Sequence, residues 1–492
     1  MTITDTVLLF LTIAVMKTKE LPPLLYMRIA SAIEQQIRNR VLQVGDKVPS
    51  LRTICQEYGV SQATAIQAYH YLESRALIEA RPQSGYYVSP SPVYKLAESK
   101  PSAILASSGD GSLEALVDRV YNNIGQPARS LPLSLGVPAQ ELLPLARLNK
   151  SLVKAMRGLD GSGVNMEHPL GNERLRKQIA RWSFAMEARL DPDNIITTAG
   201  CLNAISYALM ALTEPGDTIA VESPVSFGML QVAQSLRLQV LELPADPLTG
   251  IDLDVLKKHF QKKKIKLCLF ISNFSNPLGS CMPDERKKEL VQLLEKYQVP
   301  LIENDLNGDV FFGNKRPKSC KTYDESGLVI WCGSVSKSLA PGYRVGWVDA
   351  GRFREKLLRM KLYHSISSTS IVQEVVADFL ETGRYEAHLR KLRQTLYTNY
   401  LHYVRCIQEY FPADTRLSRP QGGFVLWVEL NKRADTVDLY ERAMRHKISI
   451  APGKIFTLQK QYNHCLRLNY GLLWNEKTRK ALITLGRLAE DR

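Results

Sequence analysis

Paired cysteines are missing from this chain. The eight present (Cys55, Cys201, Cys268, Cys281, Cys320, Cys332, Cys406 and Cys465) stand at long intervals with no C-x-x-C. That excludes a zinc ribbon and a small disulfide framework, and it is expected of a reducing, cytoplasmic setting. The eight histidines form no metal-ligand spacing, so no metal site is expected. His402 and Cys406, one turn apart on a predicted helix, read as packing. Long apolar runs are also scarce. Val7 to Val15 is apolar but for Thr12, far short of the about 20 residues of a spanning helix, and Asp5 stands where a signal peptide carries positive charge. Residues 1–20 are therefore read as an extension of uncertain role: a non-native start ahead of Met16, or an arm packed on a partner. No internal repeat and no low-complexity tract occurs, and Lys262 to Lys264 reads as a solvated helix end.

What remains is a chain of 492 residues, 45% apolar and 23% charged, a balance that fits neither disorder nor a polytopic membrane protein. Its length allows two to four domains. The formal charge of +15 points to a polyanionic partner and says nothing of fold. Residues 21–89 are dense and regular. The text then turns to proline, glycine and serine, so residues 90–130 read as a linker. From 131 to 492, helical stretches alternate with short apolar strands such as Thr218 to Glu222, Leu267 to Ser272, Pro300 to Glu303 and Leu328 to Cys332. That rhythm predicts an α/β body on a mostly parallel sheet.

In the first module, Leu25, Ile29, Ala32, Ile33 and Ile37 recur at helical spacing, with Arg28, Glu34, Gln35 and Arg38 opposite. A second helix is expected from Ser50 as cap to Gly59. A third follows Ser61, with Ala65, Ala68, Tyr69 and Leu72 inward and Gln62, Ala63 and Thr64 outward. Two helices joined by a glycine turn, with polar side chains opening the second, suit a helix-turn-helix. Leu77 to Val88 then reads as a β-hairpin wing turning near Gly85. Three short helices with solvated arginines are the plainer alternative.

The series Pro49-Ser50-Leu51-Arg52, Val60-Ser61-Gln62-Ala63-Thr64, Ala68-Tyr69, Leu72-Glu73 and Arg81-Pro-Gln-Ser-Gly85 resembles the winged-helix domain of the GntR family of bacterial regulators. The resemblance implies DNA contacts at Arg52, Ser61, Gln62, Thr64 and Arg81. Arg52 and Arg81 would then position the module on phosphates, and Gln62 and Thr64 would read base edges.

In the second module, Cys332 to Trp347 (CGSVSKSLAPGYRVGW) directly follows an apolar strand. It sets one lysine among small hydroxyl residues, with an arginine seven positions on. An aldehyde cofactor bearing a phosphate needs an amine able to lose its proton, and hydroxyl and guanidinium groups for the dianion. Lys337 suits the first need, and Ser334, Ser336 and Arg344 the second. A solvated loop lysine would look the same from this string alone.

The order of other segments resembles fold-type I aminotransferases, which bind pyridoxal 5'-phosphate (PLP). Thr198-Ala-Gly-Cys-Leu-Asn-Ala-Ile matches the family's glycine turn into a helix, implying that the amides of Cys201 and Leu202 meet the phosphate. Ser275-Asn276-Pro277 matches the Asn-Pro motif, often cis, whose asparagine bonds the ring hydroxyl. Cys465-Leu-Arg467 matches the late arginine that forks onto a substrate carboxylate. Gly422-Gly423-Phe424 and Pro452-Gly453 complete the pattern.

Three positions depart from it. Asn304 stands where the family carries the acid that pairs with the pyridinium nitrogen, and Asn307 where it carries the tyrosine that reaches the ring hydroxyl. Asp305 is the nearest carboxylate, but strand alternation points it away. The stacking aromatic falls at Ser226, next to Phe227. Cofactor binding is thus expected to survive, and carbanion chemistry to be weakened.

The whole resembles MocR-type transcriptional regulators. The implied fold is an N-terminal winged helix-turn-helix domain joined to an α/β, fold-type I PLP-dependent transferase-like body, a mostly parallel sheet with flanking helices. The implied partners are double-stranded operator DNA, a second copy forming a homodimer, and an amino acid or amine effector. Two alternatives stay open: a PLP-dependent aminotransferase with a secondary DNA-binding domain, and a DNA-binding protein whose body is a cofactor-free dimerisation scaffold.

Overall fold

A computed structural model of the chain describes residues 25–39, 41–74, 77–81, 84–89, 97, 99, 112–121, 130–262 and 264–490. The extension 1–20, most of the linker 90–130, wing residues 82 and 83, and the middle of the 262–264 lysine run lie outside the described residues. Two units separate, one within residues 1–95 and one within 96–492.

In the head, α1 (Leu25–Arg38) buries Tyr26, Ile29, Ala30 and Ile33 at spacings of three and four. The sequence had put Leu25 and Ala32 on that face and Glu34 opposite. The apolar stripe instead starts at Tyr26, which turns Leu25 to solvent and brings Glu34 under cover. Helix α2 (Leu51–Tyr58) begins at Ser50, whose hydroxyl accepts from the Thr53 amide at 3.1 Å, and ends at Gly59 with φ 60°. A left-handed cap of this kind suits glycine, which has no Cβ to strain. Helix α3 (Gln62–Ser74) starts from Ser61, which accepts from the Thr64 amide at 3.3 Å, and buries Ala65, Ala68, Tyr69 and Leu72 completely. Strands β1 (Ile78–Arg81) and β2 (Gly85–Val88) pair antiparallel, Ile78 opposite Val88 and Arg81 opposite Gly85. The stretch before α2 lies along β2 through a single bridge, the Val48 amide bonding to Tyr86 O at 3.0 Å and the Val88 amide to Asp46 O at 2.8 Å.

The second unit opens with α4 (Ser112–Tyr121), a helix inside the stretch read as linker; the body then runs β3 (Leu131–Pro132), α5 (Leu145–Gly158), α6 (Glu173–Trp182), β4 (Ile195–Thr198), α7 (Cys201–Leu212), β5 (Thr218–Ser223) and α8 (Phe227–Ser235). Next come β6 (Gln239–Asp246), β7 (Gly250–Ile251), α9 (Leu253–Gln261), β8 (Leu267–Phe270), α10 (Asp284–Tyr297), β9 (Leu301–Asn304), β10 (Val329–Ser334) and β11 (Gly346–Asp349). Among the described residues the main sheet has eight strands, ordered β4-β11-β10-β9-β8-β5-β6-β7. β10, β9, β8, β5 and β6 are parallel neighbours. Helices cover both faces, so alternate residues enter opposite cores. Ile302 and Ile330 pack with Ala204 and Ile205 of α7, while Leu301 and Val329 pack with Leu256 of α9 and Leu290 of α10.

Helices α11 (Arg354–His364), α12 (Ser370–Glu381) and the 27-residue α13 (Arg384–Tyr410) follow. A second, antiparallel sheet is built from β12 (Arg416–Leu417), β13 (Val425–Glu429), β15 (Ala451–Pro452) and β16 (Cys465–Asn469), in the order β12-β13-β16-β15. Between them lie α14 (Thr436–Arg445) and β14 (Ile448–Ser449), and α15 (Glu476–Glu490) closes the described chain. No helix among the described residues is long and apolar enough to cross a membrane.

Candidate functional site

On the head, the first turn of α3 presents Ser61, Gln62 and Ala63 to solvent, with Thr64 half-buried beside them. Ser61 is held by its own cap, its hydroxyl 3.0 Å from that of Thr64. Arg52 stands exposed on the first turn of α2. Arg81 is exposed at the end of β1, but it is engaged: its Nε donates to Glu79 at 3.0 Å, and its guanidinium lies 4.3 Å from the Tyr87 ring centre.

In the body, the register sets Cys332 opposite Asn304, Ser334 opposite Gly346, and Gly346 opposite Thr198. The carboxyl ends of β4, β9 and β10 therefore finish along one line, where open α/β sheets place their ligands. Lys337 sits in the single helical turn after β10, and its amine donates to the carbonyl of Gly136. Burial, then the cations of Arg467 and Arg344, bring that amine down to about 7. A lysine so placed is neutral and nucleophilic close to physiological pH.

Around it stands a cup for an anion. Ser334 caps the turn, accepting from the Ser336 amide at 3.0 Å, and Arg344 donates to the Ser336 hydroxyl at 3.0 Å and to Ala199 O at 3.2 Å. Gly200 has φ +97°, and any Cβ there would collide with the Arg344 guanidinium. Helix α7 starts at Cys201 with no side-chain cap, leaving its first amides open for an anion. Burial pushes the Cys201 thiol up to about 12, so it stays neutral.

Opposite, Arg467 of β16 is buried and donates to Asn276 Oδ1 at 2.8 Å and to Ser134 O. The rings of Phe456 and Phe227 lie 5.0 and 6.0 Å from its guanidinium carbon. The Asn276–Pro277 bond is cis, as is Ser223–Pro224, which the sequence did not suggest. Asn304 accepts from the Leu306 amide at 3.2 Å and from the Cys201 thiol at 3.3 Å. Asn307 donates to Phe274 O at 2.9 Å, and its Oδ1 is buried with no partner among the described residues. An acceptor without a donor in a pocket wall suits a ligand hydroxyl.

Cys201, Leu202, Asn276, Asn304, Asn307, Ser336, Lys337, Arg344 and Arg467 all line one cavity, with Ser334 just behind Ser336. Ser226 and Phe227 both face it. Asp305 turns away, to Arg316 at 2.6 Å, Trp331 Nε1 at 2.9 Å and Asn273 at 3.0 Å. The residues present thus fit a phosphate-bearing aldehyde: a cup a Cβ would fill, a deprotonable amine, and an unanswered acceptor.

Sequence reasoning missed two parts. The segment Ser134 to Val137 supplies backbone to both Lys337 and Arg467; Gly136 and the following Pro138 were the available signal. Beneath Lys337, the Ser338 hydroxyl meets Tyr385 OH at 2.6 Å, Tyr385 reaches Asp309 at 2.9 Å, and His388 Nε2 lies 2.7 Å from Ser338 O. Burial alone would raise the Asp309 carboxyl, but Arg316, Trp182 and Tyr385 hold it below its usual range.

A winged-helix head together with an aminotransferase-type body, lysine and anion cup in place, defines the class. Residues 25–88 match the gntR family of bacterial regulatory proteins, and residues 131–484 match aminotransferase class I and II. The Escherichia coli K12 protein YdcR, named as an HTH-type transcriptional regulator, is 36% identical over 470 residues, 95% of this chain and 99% of that protein. Aromatic-amino-acid aminotransferase 1 of Thermococcus litoralis is 27% identical, over 73% of this chain and 87% of that one. Among solved structures, the α-aminoadipate aminotransferase LysN of Thermus thermophilus, complexed with N-(5'-phosphopyridoxyl)-L-leucine, superposes with a TM-score of 0.71 at 25% identity. The match spans 77% of this chain and 97% of that one. The chain belongs to the MocR/GntR-type HTH transcriptional regulators, whose GntR DNA-binding head is joined to an aminotransferase class I and II body.

Proposed function

We propose that this chain is a cytoplasmic transcriptional regulator with a head at 21–89, a linker at 90–130 and a body at 131–492. The head binds double-stranded operator DNA, using Arg52, Ser61, Gln62, Thr64 and Arg81. The body binds PLP, and an amino acid or amine held at Arg467 acts as effector. A homodimer carries two heads, which suits a repeated or palindromic operator. The observation that carries this reading is the Lys337 amine, held near 7 beside an anion cup, on a chain whose other unit is a winged helix.

When bound, PLP supplies an aldehyde carbon open to attack by amines and a ring that withdraws electrons. Lys337 presents the neutral amine. The amides of Cys201 and Leu202, with Ser334, Ser336 and Arg344, would hold the phosphate dianion. Asn276 and Asn307 would hold the ring hydroxyl, and Arg467 would take a carboxylate by its guanidinium fork. Asn304 offers the ring nitrogen a neutral amide, which cannot hold a proton there by charge. Carbanion chemistry is weakened accordingly, which favours a sensor over a transaminase. The effector shifts the regulator only by its difference in affinity between two conformations.

The test is an absorption spectrum of the purified chain with added PLP, before and after borohydride. A visible band that borohydride converts to a stable adduct on Lys337, absent from Lys337→Ala, is the expected result. A colourless, unmodified chain at saturating PLP overturns the cofactor half, and failure to retain promoter fragments in a gel overturns the DNA half. Rapid multiple-turnover transamination would overturn the sensor reading.

A further inference from the structure

Beside the wing stands an exposed base outside the motif, Lys47. On the outer face of the hairpin, Glu79 lies opposite Tyr87 across β1 and β2, and Tyr87 is bridged to Lys47 on the other side. Acid, aromatic ring and base therefore stand in one cross-strand row. Arg81 bends back over this row. Its guanidinium covers the Tyr87 ring at 4.3 Å and its Nε is 3.0 Å from the Glu79 carboxylate, so an acid neighbour already compensates its charge. The Tyr87 ring is fixed in turn, its hydroxyl 2.7 Å from that of Ser84.

Lys47 has no such acid. It is exposed, with its amine 5.9 Å from the Tyr87 ring centre and no ion pair among the described residues. Its stem lies across the hairpin end, where a Cβ on Gly85 would meet Lys47 Cε at 3.3 Å. The backbone beneath is tied on both sides, by Val48 to Tyr86 and by Tyr69 OH to Pro49 O, one residue before the cap of α2.

We infer that Lys47, held by Tyr87 and given room by Gly85, makes the main backbone-phosphate contact at the wing, and that Arg81, its charge compensated by Glu79, contributes the lesser share while bracing Tyr87. This rests on the head binding DNA. Neutralising one phosphate contributes about 0.9 to the slope of log affinity against log salt.

The experiment is fluorescence anisotropy of the full chain with a labelled duplex of mixed sequence, about three helical turns long, titrated from low to physiological salt. Lys47→Gln is expected to flatten the slope by about 0.9, with Lys47→Arg restoring it and Arg81→Gln flattening it by less than half as much. Glu79→Gln frees Arg81 from its counter-charge and is expected to steepen the slope and tighten binding, a gain that misfolding does not produce. An unchanged slope in Lys47→Gln, or a full unit lost in Arg81→Gln, overturns the assignment. A wild-type chain that binds no duplex overturns the DNA-binding reading itself, and this assignment with it.

Discussion

Removing the cation of Arg467 should raise the proton affinity of Lys337 and slow capture of PLP at neutral pH. Burial is the first cause of the depressed amine, and Arg467 the largest charge acting on it. At an effective dielectric of about 20 a unit charge about 4 Å away is worth about 4 kcal/mol, and greater separation and water in the cavity lower that. The Arg467→Gln amine is therefore expected to titrate about one to two units higher. The sign follows from charge: without Arg467 the protonated form is repelled less. With a midpoint of about 7, about a tenth of the amine is neutral at pH 6 and about nine-tenths at pH 8. For the variant at pH 7 the neutral fraction falls about 5- to 50-fold, and the two chains converge by about pH 10. The assay is stopped-flow growth of the visible band on mixing apo chain with PLP from pH 6 to 10. A midpoint that does not move in the variant, or a wild-type rate still climbing steeply above pH 9, would refute the reasoning.

Gly200→Ala puts a Cβ into the Arg344 guanidinium at a backbone φ of +97°, so PLP affinity should fall at least about tenfold (about 1.4 kcal/mol) while the circular dichroism stays native. Arg316→Met leaves the buried carboxylates of Asp305 and Asp309 without their cation and should cost about 3 to 5 kcal/mol in urea unfolding. Adding Asp305→Asn and Asp309→Asn should recover part of that loss, and no recovery would contradict the pairing. Ser50→Ala removes the acceptor for the Thr53 amide and should lower head stability by about 1 kcal/mol, seen as earlier melting of the head alone in hydrogen exchange. The folded Lys337 gives up its proton near pH 7 whereas an unfolded lysine keeps it to about 10.5, so apo-chain stability should rise with pH across that window. Lys337→Met should abolish this rise.

Much of this was legible because the signals are local. Ser50, Gly59 and Ser61 mark helix ends through bonds spanning three or four residues, so each cap can be read from a short string. The alternation of β9 separated Asn304 from Asp305 for the same reason: the strand period is two, and neither residue needs a distant partner to choose its face. The head's first helix was misread by one position, since Leu25 and Tyr26 both continue the apolar spacing and only packing against α3 decides between them. Ser334, Ser336, Lys337 and Arg344 could be picked out together because they sit in one short stretch, Ser334 to Arg344.

The layer under Lys337 was illegible because its bonds join residues far apart in sequence. Ser338 and Tyr385 are separated by 47 positions, and Asp309 and Tyr385 by 76. These bonds give α13 a place in the site that its periodicity never announced. Near its start, Tyr385 and His388 hold Ser338, the residue after Lys337. Several turns on, Asn399 donates to Tyr470 O at 2.9 Å and to Leu472 O at 2.6 Å, and Tyr403 OH lies 3.0 Å from Asn469 O, two residues past Arg467. One helix is thus bonded to the backbone beside Lys337 and to the strand end beside Arg467. The two sides of the cavity are therefore tied to one element, whose buried bonds break only at the full desolvation penalty of each group.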